Sequence, residues 1–513
     1  MKIFDTSDLT PEALRSMGGD EVSWIYNGLD CAVTAEVYET LLPQLDNISE
    51  GVYSLSKQLQ GPILEMNMRG VLVDRWALAN YVRDTENTLA ELTARMNRII
   101  TEGYGLSEPI NVGSPQQLQW FLYEYLQLPV KRKRNANGKM VPTTERMALE
   151  SLEDHFIARP FLKYLLLIRD LTKQLQFLRT EIDLDGKMRC SFNIAGTKTG
   201  RLASSHSDYG TGGNMQNINT RLRHIFIAPK GKKLANLDLE QADSRNVGAT
   251  CWNRFVESYG EQFAGSYLDA CESGDLHTQV TRMARPELDW PDDPRRYREF
   301  CDQPLEQFRD KSYRDLSKGL GHGSNYMLTP PSAVKKIPGL IVPQVLDFQS
   351  RYFGAFPCIP EWHKAVEADL GESATLTTIL GRRRYFFGRP DDPKTIREAV
   401  AYEGQSPTAD EINYGLLALW RACARFPGFG LLVQVHDSIL FEYDEACENE
   451  IIPTALAALR VPVILARDRE FVVPTEAKVG WNWGNASEKN PDGLVKWKGG
   501  DSRTRQRSPS LFA

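Results

Sequence analysis

Two short segments each set an aspartate where apolar alternation breaks off. In KLANLDLEQADSR (233–245), Ala235, Leu237 and Leu239 alternate with Asn236 and Asp238, the period-two pattern of a strand that buries one face. The alternation then stops and a helix can begin, which leaves Asp238 at a strand end facing a cleft. In LLVQVHDSILFEY (431–443), two apolar runs flank the polar pair His436-Asp437, the pattern of a β-hairpin with an acidic tip. A lone aspartate at a strand–helix junction is commonly a helix cap, and a His-Asp pair is common by chance. In partnership the two carboxylates gain meaning. On neighbouring strands they can bridge two magnesium ions about 3.5–4 Å apart, one activating a hydroxyl nucleophile and one holding a triphosphate.

A third segment, RDLSKGLGHGSNY (314–326), repeats Arg314, Lys318, His322 and Tyr326 every four residues. On a helix these form one slowly drifting stripe. Two cations followed by two rings suit a triphosphate and then a sugar and base; a solvated basic face is the plain alternative. Gly319, Gly321 and Gly323 each cost about 1 kcal/mol against alanine in a helix, so packing or a ligand must support it.

The elements that position these residues belong to a large globular chain. Its 513 residues, 42% hydrophobic and 25% charged, allow about three structural units and a sizeable core. No run of about 18 apolar residues occurs, so no membrane span is expected. The start, MKIFDTSDLT, lacks the pattern of a secretory signal. Eight scattered cysteines form no CxxC pair, which points to a reducing, cytoplasmic setting without disulfides or structural zinc. A net charge of −6 argues against a protein that coats nucleic acid by charge alone, but not against an enzyme that concentrates carboxylates in a cleft.

Along the chain, residues 52–100 have helical spacing, a Gly/Pro-rich excursion follows, and a second long helix is expected over 160–181. Between them the basic run Lys131-Arg132-Lys133-Arg134 reads either as a solvated loop or as a loop gripping phosphates. Two long helices with a small basic tip make a finger-like projection. From 188 onward strands alternate with helices, so the fold class is α/β or α+β. The polar, aperiodic end from Asn485 reads as a disordered tail.

In order and spacing these segments resemble family A DNA polymerases. DLEQADSR and QVHDSILFE resemble the two palm motifs of the family, and RDLSKGLGHGSNY its fingers helix. TKTGRLASS (197–205) with NMQNI (214–218) resembles the signature before the palm. ILEMNMRGVLVD (63–74) and INVGSPQQLQWFL (110–122) resemble the thumb. The resemblance implies a right-hand fold with an antiparallel palm sheet and helical fingers and thumb. Its divisions would be thumb 49–185, palm 186–270 and 396–485, fingers 271–395 and a disordered tail 486–513.

It also implies roles. Asp238 and Asp437, with the Leu239 carbonyl, would hold two Mg2+ ions. His277, Arg314 and Lys318 would neutralise the dNTP triphosphate, with Lys318 a proton donor to pyrophosphate. His322, Tyr326 and Asp243 would border the nucleotide, and Tyr326 would stack beneath the new base pair or the template base. Arg201, Gln405, Gln434 and His436 would contact primer–template DNA, and Arg382 the template strand.

Several positions depart from the family pattern. Leu239 stands where tyrosine is common, Asp243 where glutamate is usual, and His322 replaces an aromatic ring. Met327 replaces glycine and Ser438 an acidic residue, which places sugar selection in question. Tyr26 and Asp30 resemble the last motif of the 3′–5′ exonuclease domain of the family. Only a short stretch precedes them, so a remnant at 1–48 packed against the palm is expected, without intrinsic proofreading. A separate exonuclease or processivity factor then has a place as partner, and a phage or mobile-element source fits. Two rivals stand beside this reading: a single-subunit RNA polymerase, and a catalytically inactive polymerase-like DNA-binding protein.

Overall fold

The computed structural model describes residues 10–499 except 136–137, 154, 309–310 and 338. At its centre a five-stranded antiparallel sheet joins β1 (Lys232–Leu239), β2 (Gly430–Val435), β3 (Ser438–Asp444), β4 (Thr475–Gly480) and β5 (Val495–Lys496) in the order β2-β3-β1-β4-β5. Ala235, Leu237 and Leu239 of β1 are buried while Asn236 and Asp238 are half-buried, so the period-two pattern does set the faces from Ala235 on. The register puts Ser438 and Glu476 on either side of Asp238. β2 and β3 are joined by the two-residue turn His436-Asp437, in which His436 has φ +54°.

Helix α1 (Gly19–Leu41) precedes α2 (Asn47–Gln58) and α3 (Gln60–Arg69). Leu55, Leu59, Ile63 and Met66 of α2, α3 and their junction enter the same large core as the sheet. Glu65 fastens α3 to the palm, accepting from the Trp420 indole at 2.7 Å and from the Leu431 backbone N–H at 3.0 Å. The two long antiparallel-capable helices expected from spacing are α4 (Arg75–Arg98) and α5 (Arg159–Leu178), and they pack on each other. Between them lies a second core, with Met96, Ile100, Phe121, Leu149 and Phe161. This core is separate from the large one. The basic run forms a hairpin: Arg132–Arg134 pairs with Met140–Pro142, fully exposed on the basic strand, and Lys133 pairs with Glu145.

Behind the sheet run α6 (Ala242–Tyr259) and the long α12 (Pro393–Cys423). The stretch expected as fingers holds α7 (Leu276–Ala284), α8 (Tyr313–Asn325), α9 (Pro330–Lys336), α10 (Val342–Ala355) and α11 (Cys358–Ser373). Among the described residues no helix is long and apolar enough to cross a membrane, and all eight cysteines are free.

Two sequence expectations fail. The tail is not disordered from 486: Val495 and Lys496 form the edge strand β5, Leu494 is buried, and the Trp497 N–H donates to Ala477 O at 2.9 Å. Four residues of alternation are too few to register as a strand in sequence, and pairing with β4 supplies what propensity does not. Residues 500–513 lie outside the described residues. The exonuclease-like remnant is only thinly covered. On α1 Ala32 is buried, but Trp24 and Tyr26 are 70% and 63% exposed and Asp30 is exposed. The firm link to the body begins at its end, where Asp46 pairs with Arg383 at 2.9 Å.

Candidate active site

β1 ends at Leu239, and its backbone N–H donates to the Asp437 carbonyl at 3.0 Å. That bond ties the hairpin tip to the end of the central strand and brings the two aspartates together. Burial, added to by the charge of Asp437, pushes the Asp238 carboxyl up to about 6; Lys478 and Arg223 oppose the rise. Asp437 is also raised, by burial first and then by the charge of Asp243. Among the described residues neither aspartate makes an ion pair. Two half-buried carboxylates held above their ordinary range without an ion-paired cation among the described residues are a pair that a divalent ion would relieve. Among the described residues no cage of three or more ligating side chains exists. That donor set fits magnesium, which takes one or two carboxylates and completes its shell with water and substrate phosphates. The Leu239 carbonyl is the backbone oxygen at the same strand end.

The glycine-rich segment is helical. Ser312 and Asp315 cap α8 reciprocally. A Cβ at Gly323 would lie 2.5 Å from Leu328 and one at Gly321 3.3 Å from Tyr352, so these glycines let neighbouring segments approach. The stripe is real but its members differ. Arg314 binds both oxygens of Asp275, at 2.9 and 3.1 Å. Lys318 is exposed and, among the described residues, has no ion pair. His277, at the start of α7, is held down to about 4 by burial and by the charges of Lys318 and Arg314, so it is neutral at pH 7. His322 meets the Tyr326 ring edge-on at 4.9 Å. Tyr326 ends the helix, and a Cβ at Gly404 would lie 2.9 Å from its ring, so glycine there admits the ring. The next residue, Met327, sits at φ +57°, a left-handed conformation that costs a non-glycine residue roughly 1–2 kcal/mol.

The residues assigned to DNA divide. Gln405 is half-buried and lines one pocket with His322 and Tyr326, and His436 is exposed at the hairpin tip. Arg201 is bound to Asp243 at 3.0 Å. Gln434 is only 1% exposed; it donates to His436 O at 2.6 Å and receives Gln216 at 3.3 Å. Arg382 grips the buried Asp410, 2.6 Å at the closest. Sequence reasoning missed Asp410, Gln216 and the pairing role of Asp275. Each lies 28 or more residues from its partner, so no local pattern could reveal it.

The family model for DNA polymerase family A matches residues 80–282 and 298–485. The chain belongs to DNA polymerase family A. Among its relatives, this family A chain is 27% identical over 503 residues to the thermostable DNA polymerase I of Thermus thermophilus, covering 93% of this chain and 53% of that protein. It is 26% identical over 511 residues to the thermostable DNA polymerase I of Thermus aquaticus, covering 95% and 55%. The chain thus spans about half the length of these curated relatives. In fold it is similar to the POL domain of Pol1 from M. smegmatis, solved in complex with DNA primer-template and dNTP: TM-score 0.66, 23% identity, 83% of this chain and 69% of that one. The α/β family A polymerase fold with its antiparallel sheet is therefore the fold of this chain.

Proposed function

We propose that this chain is a DNA-directed DNA polymerase that adds deoxynucleotides to a primer 3′ end by two-metal-ion transfer. The observation that carries the reading is the joining of Asp238 and Asp437 at one strand end, together with Lys318 on α8, which has no ion pair among the described residues. His322 on that helix feels the charge of Asp243, which in turn acts on Asp437; fingers and carboxylates thus share one electrostatic site. Family membership and the DNA and dNTP in the similar Pol1 structure support the substrates.

Magnesium bound at Asp238 and Asp437 would lower the pKa of the primer hydroxyl and shield the triphosphate. The chain itself supplies the positioning. Lys318 and Arg314 meet the phosphates as cations, while His277 offers a neutral ring nitrogen. Lys318 is placed to protonate the leaving pyrophosphate. Tyr326 and Gln405 flank the nascent pair, and Arg382 acts on the template side only by holding Asp410. No 3′–5′ proofreading is assigned to Tyr26 and Asp30, which stand exposed on α1. A separate exonuclease or processivity factor and a cytoplasmic setting complete the proposal.

Primer extension by the purified chain tests it, with deoxy- or ribonucleotides and with or without magnesium. Magnesium-dependent extension with deoxynucleotides, lost in Asp437→Ala at unchanged primer–template affinity, is the expected result. Extension favouring ribonucleotides would indicate an RNA polymerase, and binding without extension a catalytically inactive protein.

A further inference from the structure

Residues 283–297 fall between the two spans matched by the family model. This segment is well built. The Trp290 indole N–H donates to Arg285 O at 2.9 Å, and its ring meets Tyr297 at 5.4 Å and Phe300 at 5.2 Å. Arg282, on α7, lies over Tyr297 at 4.6 Å. The segment runs into a short helix, Tyr297–Cys301, whose Cys301 sulfur lies 3.8 Å from the Thr278 hydroxyl on α7. Thr278 follows His277, so the end of this segment is pinned beside the triphosphate-binding group proposed above.

The residue this delivers is Arg298. Its Nε stands 3.8 Å from Asp275, with the side chain 68% exposed. The same carboxylate already holds Arg314 through two hydrogen bonds. Asp302 adds a second carboxylate charge on Arg314, while the Arg298 side chain makes no hydrogen bond among the described residues. On the palm side Lys496 of β5 feels the charges of both Arg298 and Glu240, and Lys496 pairs with Glu476, the register partner of Asp238. Arg298 therefore stands where the fingers face the palm edge. A planar guanidinium with its donors largely free suits bidentate binding of phosphate oxygens.

We infer that Arg298 is an additional binding residue for the triphosphate end of the incoming nucleotide and for the pyrophosphate released from it. The inference rests on the polymerase reading above. In the reverse reaction pyrophosphate attacks the terminal phosphodiester, and the primer 3′ oxygen leaves as a dNTP is re-formed. The same residue should therefore act on both directions.

The test is steady-state extension and pyrophosphorolysis by wild type, Arg298→Gln and Arg298→Lys. In Arg298→Gln the KM for dNTP and the KM for pyrophosphate should each rise about 3–10-fold, the effect of one exposed charge-assisted bond. The kcat, Tm and primer–template Kd should stay at wild-type values, and Arg298→Lys should recover part of the loss. Unchanged KM for both ligands overturns the inference. So does a weakened primer–template Kd at unchanged KM, which would assign Arg298 to the DNA backbone, or a joint fall of Tm and kcat, which would make it structural. A wild-type protein that extends no primer would overturn the polymerase reading instead.

Discussion

The Arg201 guanidinium donates to both carboxylate oxygens of Asp243, at 3.0 and 3.2 Å. The residue standing where the family has a glutamate is thus held by the arginine of the TKTGRLASS segment, while the buried Tyr326 hydroxyl near it has no hydrogen-bond partner of good geometry among the described residues. Aspartate is one methylene shorter than glutamate, about 1.5 Å, so the space under the sugar should be larger. Asp243→Ala should lower the ratio of kcat/KM for a deoxynucleotide over its ribonucleotide, within the roughly 10–200-fold worth of a methylene-sized difference. Asp243→Glu should raise it. An unchanged ratio in Asp243→Ala would move the gate to Leu239 or His322.

The ion pair itself should be measurable. Both side chains are about one-quarter exposed, so a double-mutant cycle of Arg201→Ala and Asp243→Ala on kcat/KM should give a coupling of about 1 kcal/mol. Strict additivity would show that the two residues act independently.

Asp238→Asn should abolish extension yet stabilise the metal-free protein. The carboxyl sits at about 6 in the fold against an ordinary 3.8. The folded state therefore holds the proton more tightly, and stability falls as pH rises from about 4 to 6 and stays lower above. The rise corresponds to at most about 3 kcal/mol. Thermal unfolding at pH 8 in chelator should show a higher Tm for Asp238→Asn than for wild type, and magnesium should raise only the wild type.

Glu411 offers a second pH test. Burial pushes its carboxyl up to about 8, although Asn246 donates to it at 2.7 Å. The ordinary value is 4.5, so wild-type stability should fall as pH rises between about 4.5 and 8. Glu411→Gln should lack that slope. Equal Tm–pH profiles for the two proteins would mean the carboxyl is charged in the fold.

Arg382→Ala should act on the fold before it acts on the template. Asp410 is 1% exposed and Arg382 is its partner. Leaving that charge buried and unpaired costs about 3–5 kcal/mol. Denaturation should show this loss, and Arg382→Lys should recover part of it. A stable Arg382→Ala with weakened template binding would restore the direct DNA role.

The sequence by itself determined the local elements and the chemistry they carry. Alternation around Asp238 and the broken apolar run at Asp437 specify a strand end and a hairpin tip, because side-chain faces follow from period alone. The four-residue recurrence from Arg314 to Tyr326 makes a stripe only on a helix, and close packing of Gly321 on Tyr352 and Gly323 on Leu328 accompanies that helix in the fold. Tertiary structure alone decided which of those groups are free to work. Arg201, Arg314 and Arg382 read as alike in sequence, but each meets a carboxylate 28 or more residues away, whereas Lys318 has no ion pair among the described residues. It also decided that 494–497 close the sheet, since a short edge strand gains its stability from the partner strand rather than from its own residues. Pairing across long loops leaves no periodic trace in the chain.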